Sequence, residues 1–75
     1  MKTKMNISLI LLPDDKENFN SEELYKKLKP YGVNVTDLGD KVYLFATVDI
    51  RNDAIETIIC ETRKHGYVDI EAYLV

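Results

Sequence analysis

The sequence predicts an α+β fold, with a four-stranded antiparallel sheet that carries two helices on one face. Three observations predict it. The longest unbroken strand signal runs through residues 41–49, near the middle of the chain. Amphipathic segments with helix-capping signals precede and follow it, and shorter alternating runs stand near the two ends. At 75 residues, the chain is expected to form a single domain over residues 1–75.

Apolar and polar or aromatic residues alternate through residues 41–49. Successive side chains of a strand point to opposite faces of the sheet. One set should therefore face a core and the other should face away from it, and we expect the remaining elements to pack around this strand. The predicted core set is Val42, Leu44, Ala46 and Val48, and the predicted outer set is Tyr43, Phe45 and Thr47.

Three further runs have the alternation of strands. Residues 5–12 form the first, which Pro13 closes, because proline cannot donate to a sheet ladder. The second begins at Val33 and fades near Leu38, where Gly39-Asp40 predicts a two-residue hairpin turn into the central strand. The last covers residues 67–75.

Two helices are predicted between these strands. Asn20 is the expected N-cap of the first, with Glu23 three residues later in a capping box, and Pro30 should end it. The second should start near Asn52 or Asp53. Basic residues crowd its last turn, and Gly66 is the expected C′ residue.

The element order strand-helix-strand-strand-helix-strand predicts a ferredoxin-like βαββαβ sandwich, with strands one and three in the middle. Both helices would cover the core set of the central strand, so the opposite face would be left bare. An apolar and aromatic patch of this kind indicates a contact surface, either for a symmetric dimer or for another partner. The predicted partner-binding residues are Ile10, Tyr43, Phe45, Thr47 and Tyr73, with Asp69 and Glu71 on the edge strand.

Composition and charge exclude some classes of protein. A net charge of -3 argues against nonspecific coating of nucleic-acid phosphates. The single cysteine, Cys60, cannot form an intrachain disulfide, which favours a reducing cytoplasmic setting. The apolar run that ends at Leu12 is too short for a signal peptide or a membrane span. A chain this short buries little surface on folding, which favours oligomerisation.

Catalytic and cofactor signals are weak. Asp14, Asp15 and Glu17 form an acidic loop that can bind a hard cation such as magnesium, although solvated acids are the commoner explanation. Cys60 and His65 are five residues apart on one helix, out of phase with hydrogen-bonding neighbours. No glycine-rich phosphate loop is present. The sequence therefore predicts no catalytic residue and no cofactor.

The central strand resembles the strand-three signature of the RNA recognition motif at Lys41, Tyr43 and Phe45. The resemblance implies that these three residues would contact RNA. Ser8 stands where that family has its second stacking aromatic residue, and Asp69 and Glu71 would repel phosphate on the same surface.

The whole chain also resembles the small ferredoxin-like subunits of CRISPR adaptation complexes and the related antitoxin ribonucleases. The segments that carry this resemblance are residues 23–28, Gly32, residues 42–45, the stripe of Ile55, Ile58 and Ile59, and residues 72–75. The resemblance implies a dimer and, in the nuclease members, an aspartate after strand one that holds a metal. Asp14 or Asp15 would take that role, displaced into the loop by Pro13.

The function that we expect is that of a small, non-catalytic, cytoplasmic interaction or regulatory protein. It would act through homodimerisation or by binding a protein partner, as an adaptor, a subunit or a phage-type inhibitor of a nucleic-acid enzyme. The alternatives are a metal-dependent endoribonuclease of the CRISPR-associated or antitoxin type, a small-ligand-sensing regulatory domain, and an RNA-binding module.

Overall fold

A computed structural model of the chain describes residues 3–51 and 53–75. The predicted succession of strands and helices is present. The elements are β1 (Lys4–Pro13), α1 (Ser21–Leu28), β2 (Asn34–Asp37), β3 (Val42–Asp49), α2 (Ala54–Arg63) and β4 (Gly66–Leu74), with a short 3₁₀ helix (Lys29–Tyr31) directly after α1. Within these described ranges, no helix is long and apolar enough to cross a membrane.

The four strands form one antiparallel sheet in the order β2-β3-β1-β4. Strand β1 pairs with β3 along one side and with β4 along the other. The structure thus confirms the α+β class, the four-stranded antiparallel sheet and the two helices, while the ferredoxin-like assignment stays a prediction.

One hydrophobic cluster joins the sheet to both helices. Leu24 and Leu28 of α1 and Ile58 of α2 pack in the same cluster as alternate residues of β1 and β3, so both helices lie on the same face of the sheet. The predicted core set of the central strand is confirmed, because all four of its members are buried. The strand residues of this cluster are Ile7, Leu9, Leu11, Val42, Leu44, Ala46 and Val48.

Helix α1 begins and ends where the sequence predicts. The Asn20 side-chain oxygen accepts the backbone N–H groups of Glu22 at 3.0 Å and Glu23 at 3.3 Å, which confirms Asn20 as the N-cap. At the other end, Pro30 lies in the 3₁₀ turn that replaces the α-helix after Leu28. Gly32 closes that turn in a left-handed conformation.

The hairpin between β2 and β3 has the predicted two-residue turn. Leu38 donates its backbone N–H to the carbonyl of Lys41 at 2.8 Å, so Gly39-Asp40 forms the loop. Gly39 has a φ of 94°, which favours glycine, and its N–H is bound by the Asp37 carboxylate at 2.9 Å.

The two ends of α2 agree with one prediction and show that another was wrong. Asp53 occupies the N-cap position as expected, whereas the alternative start at Asn52 lies outside the described residues. Gly66 is not the C′ residue, since the helix is capped at Lys64 and Gly66 already begins β4. Its partner across the sheet is Pro13. A Cβ atom at Gly66 would overlap the carbonyl oxygen of Leu12, so glycine is required by the close approach of β1.

We predict that Gly66→Ala destabilises the chain far more than Gly32→Ala. Both positions have positive φ, but only Gly66 lies against another strand, while a Cβ at Gly32 meets open space. Backbone strain alone should cost Gly32→Ala about 1 kcal/mol. The added overlap should bring the cost at Gly66 to about 3 kcal/mol or more. Urea unfolding of the two variants checks this, and equal midpoints would contradict the close-approach explanation.

Candidate functional site

None of the residues that the structure describes covers the side of the sheet opposite the helices, and we call this side the open face. Strand alternation and register place residues from all four strands on it. It includes all five residues predicted to bind a partner. From the edge at β2 to the edge at β4, the members are Asn34 and Thr36 of β2, Tyr43, Phe45, Thr47 and Asp49 of β3, Lys4, Asn6, Ser8, Ile10 and Leu12 of β1, and Tyr67, Asp69, Glu71 and Tyr73 of β4.

Large apolar and aromatic side chains are exposed on the open face. Ile10 is 37% exposed and Tyr73 is 55% exposed, while Tyr43 and Phe45 at the centre are half-buried. Thr47 is exposed. The predicted residues therefore do share one accessible surface, as the alternation of β3 indicates.

Two apolar or aromatic residues of the open face were not among the predicted partner-binding residues. Leu12 is 45% exposed, and Tyr67, its partner in the β1–β4 ladder, is 66% exposed. The signal for Leu12 was the same period of two that identifies Ile10. These two residues extend the apolar area beyond the centre of the sheet.

Hydrogen bonds between neighbouring strands hold several polar groups of the open face. The hydroxyls of Ser8 and Tyr43 lie 3.2 Å apart and share a hydrogen bond. Farther along, the Thr47 hydroxyl donates to the side-chain oxygen of Asn6 at 2.6 Å. These bonds join β1 to β3 and limit the rotamers of the side chains involved, so this part of the open face is ordered in the chain by itself.

A shallow depression lies on the β4 side of the open face, and we call it the acidic notch. Its volume is about 150 Å³, and it is lined by Ser8, Ile10, Tyr43, Asp69 and Glu71. Register explains the grouping, because Asp69 is opposite Ile10 and Glu71 is opposite Ser8. Within residues 3–51 and 53–75, neither carboxylate forms an ion pair or a side-chain hydrogen bond.

Asp49, at the end of β3, differs from these two acids because it forms an ion pair with Arg51. The Asp49 carboxylate accepts hydrogen bonds from Arg51 Nη2 at 2.7 Å and Nε at 3.0 Å. These side-chain bonds, with one from the Arg51 backbone, lower the pKa of Asp49 from 3.8 to about 2. Arg51 is therefore engaged at this end of β3.

The acidic loop after β1 forms a second depression, on another part of the chain. Asp14 and Asp15 line a cavity of about 180 Å³, and Glu17, the third acid proposed there, does not. Asn18 donates to the Asp15 carboxylate at 2.7 Å. In the described part of the chain, no three His, Cys, Asp or Glu side chains are grouped so as to hold a metal ion. The other lining residues are Asn18, Phe19, Lys64 and His65.

The structure also places Cys60 and His65. Cys60 is exposed on α2. His65 lies at the loop cavity, where its ring meets Phe19 edge-on with the ring centroids 5.3 Å apart.

Comparisons with protein-family models, with curated proteins and with solved structures find no match for this chain. The resemblances to CRISPR adaptation subunits and to the RNA recognition motif thus rest on the sequence patterns alone. Three residues carry the resemblance to the RNA recognition motif. Tyr43 and Phe45 lie on the open face, and Lys41 is exposed just before β3.

We predict that Arg51→Gln raises the pKa of Asp49 from about 2 toward its ordinary value of 3.8. Since folding lowers this pKa, the ion pair contributes stability above pH 3.8, and that contribution is lost as the pH falls through about 2. Carboxyl-carbon NMR titration measures the midpoint. Lys4→Gln is the matched control, because Lys4 is the weakest of the influences on Asp49 and its removal should shift the midpoint little. An unchanged midpoint in Arg51→Gln would contradict the assignment.

Proposed function

We propose that this chain is a small, non-catalytic interaction protein that binds a protein surface through its open face. The observation that carries the proposal is the set of exposed or half-buried apolar side chains on a face of the sheet that none of the described helices or strands covers. Ile10, Tyr43, Phe45 and Tyr73 lie there together. Contiguous apolar surface of this kind typically marks an interaction site.

The type of side chain supports a protein as the ligand. Aromatic residues are enriched at the centres of protein interfaces, because they bury much apolar area while fixing few rotatable bonds. Tyr43 is also held by Ser8 before any partner arrives. Covering the face would extend apolar burial beyond what a 75-residue chain achieves alone.

The fold that we propose is the ferredoxin-like sandwich. The antiparallel order β2-β3-β1-β4 and the position of both helices on one face support it. The occupant of the open face would be a second copy of the chain or a different protein. In the second case the chain would be a cytoplasmic adaptor, a subunit of a larger assembly, or a phage-type inhibitor of a nucleic-acid enzyme.

The double variant Tyr43→Ser, Phe45→Ser tests this proposal. It should remain folded by circular dichroism, because both side chains lie outside the buried cluster, yet it should lose its partner. The matched control is Tyr25→Ser, Tyr31→Ser, which removes two exposed aromatic rings from the α1 segment. The measurement is the native mass of the tagged chain, both purified and as recovered from its host.

A complex present with the wild type and the control, and absent with Tyr43→Ser, Phe45→Ser, would support binding through the open face. A complex of unchanged mass in that variant would overturn it. An unfolded variant would also overturn it, because the two side chains would then belong to the core and the assignment of faces would be inverted.

A metal-dependent endoribonuclease is the second candidate function, and one observation favours it. Asp14 and Asp15, at the end of β1, line the same cavity as His65 and Lys64. Carboxylates, an imidazole and a lysine are side chains that phosphodiester hydrolysis uses, with the carboxylates binding magnesium.

If this second candidate holds, the wild type cleaves RNA only with magnesium. Asp14→Ala, Asp15→Ala should then lower the rate at least 100-fold, because it removes both candidate ligands. Glu17→Ala is the control, since Glu17 is an exposed acid of the same loop that does not line the cavity. Gel-based cleavage of a labelled RNA measures the rates. No cleavage by the wild type, or equal cleavage by the double variant, would exclude this function.

A further inference from the structure

We propose that the open face binds a different protein, one that places an arginine side chain in the acidic notch. This inference rests on the proposed function, because it specifies the partner that the open face would bind. It depends on the shape of the notch, on the charges around it and on what a second copy of this chain would bring to the same surface.

The size and lining of the notch suit a planar cation. A cavity of about 150 Å³ holds a benzene-sized group in other proteins, and the notch has about this volume. Asp69 and Glu71 are two residues apart on one side of β4, so their α-carbons are separated by about 7 Å. Ile10 and Tyr43 supply apolar and aromatic surface beside them. One guanidinium can thus meet carboxylate oxygens and a ring in the same site.

In the described part of the chain, no cationic side chain lines the notch or pairs with its two acids. An apolar partner on the open face would remove water from Asp69 and Glu71, and burying unpaired carboxylates is costly. Among the residues that the structure describes, Arg51 is already bound by Asp49. Lys4 is opposite Asp49 at one end of the β1–β3 ladder, and Lys41 precedes the other end. Neither lysine pairs with the notch.

Arginine suits this site better than lysine does. Its guanidinium donates five N–H groups in a rigid plane, which matches carboxylates in a forked geometry and stacks on aromatic rings. It is also less strongly hydrated than an ammonium group, so it loses less on entering a partly apolar depression. The notch offers both kinds of contact, through its two carboxylates and through Tyr43.

A second copy of this chain is a poorer occupant. In a symmetric face-to-face dimer with aligned strands, β4 of one copy would lie over β2 or over β4 of the other. The open-face residues of β2 are Asn34 and Thr36, which carry no charge. Those of β4 include the same two carboxylates, which would repel. In neither arrangement does the strand that lies over the notch carry a cation on its open face.

The test is an amide NMR titration of the full chain with acetyl-arginine amide. The neutral isostere acetyl-citrulline amide is the matched probe. We expect arginine-specific shifts at residues 8, 10, 43, 69 and 71, with citrulline binding at least tenfold more weakly. Asp69→Asn, Glu71→Gln should abolish the arginine shifts. Asp40→Asn, Glu17→Gln removes the same charge from exposed turns and should retain them.

Equal shifts with arginine and citrulline, no shifts at these residues, or shifts that persist in Asp69→Asn, Glu71→Gln would each overturn the arginine assignment. A native mass of the purified chain at twice its 8.7 kDa, lost in Tyr43→Ser, Phe45→Ser, would overturn the choice of a different protein as partner. The proposed function fails separately, if the complex recovered from the host survives Tyr43→Ser, Phe45→Ser. Arginine binding and partner capture are independent measurements, so the two failures are distinguishable.

Discussion

The pairing of β1 with both β3 and β4 is the constraint on which the rest of the structure depends. Its register sets Leu9 opposite Leu44 on one side and opposite Ile70 on the other. Because side chains alternate with a period of two, a slip of one residue would exchange the two faces of the strand. Leu9 would then point toward water, and Ser8 would enter the core. The buried cluster and the open face are therefore fixed by the same set of backbone hydrogen bonds.

The same constraint assigns neighbouring residues of one strand to the buried core and to the open face. Strand β3 gives its even-numbered residues, such as Leu44, to the buried cluster and its odd-numbered residues, such as Tyr43 and Phe45, to the open face. A small domain has few residues with which to build a core and a second accessible surface, and here neighbouring positions on one strand contribute to each. A surface supported from behind by a packed core keeps its shape, which lowers the entropy lost when a partner binds.

Local patterns predicted most of the fold, because strand alternation and helix capping are encoded by neighbouring residues. The N-cap at Asn20 and the turn at Gly39-Asp40 are of this kind. The prediction for Gly66 was wrong, because a glycine after a helix with a basic last turn typically ends that helix. Glycine is required at this position because the backbone of Leu12, more than fifty residues earlier in the chain, leaves no room for a Cβ atom. The sequence placed Asp69 and Ile10 on the same face, but their grouping in the acidic notch was not predicted, because it depends on the register of β1 against β4.

The position of β1 also has a consequence for how the chain acquires its structure. One of the neighbours of β1 is β4, which lies at the far end of the sequence, and their ladder joins Met5 to Leu74. Contacts of such long sequence separation form slowly, because a large loop must close before they are made. During synthesis β1 emerges before β4, and the edge of β1 that pairs with β4 has no partner until β4 has been made. The nascent strand is apolar from Ile7 to Leu12 apart from Ser8. The interval before β4 arrives is thus the time at which this chain is most exposed to aggregation.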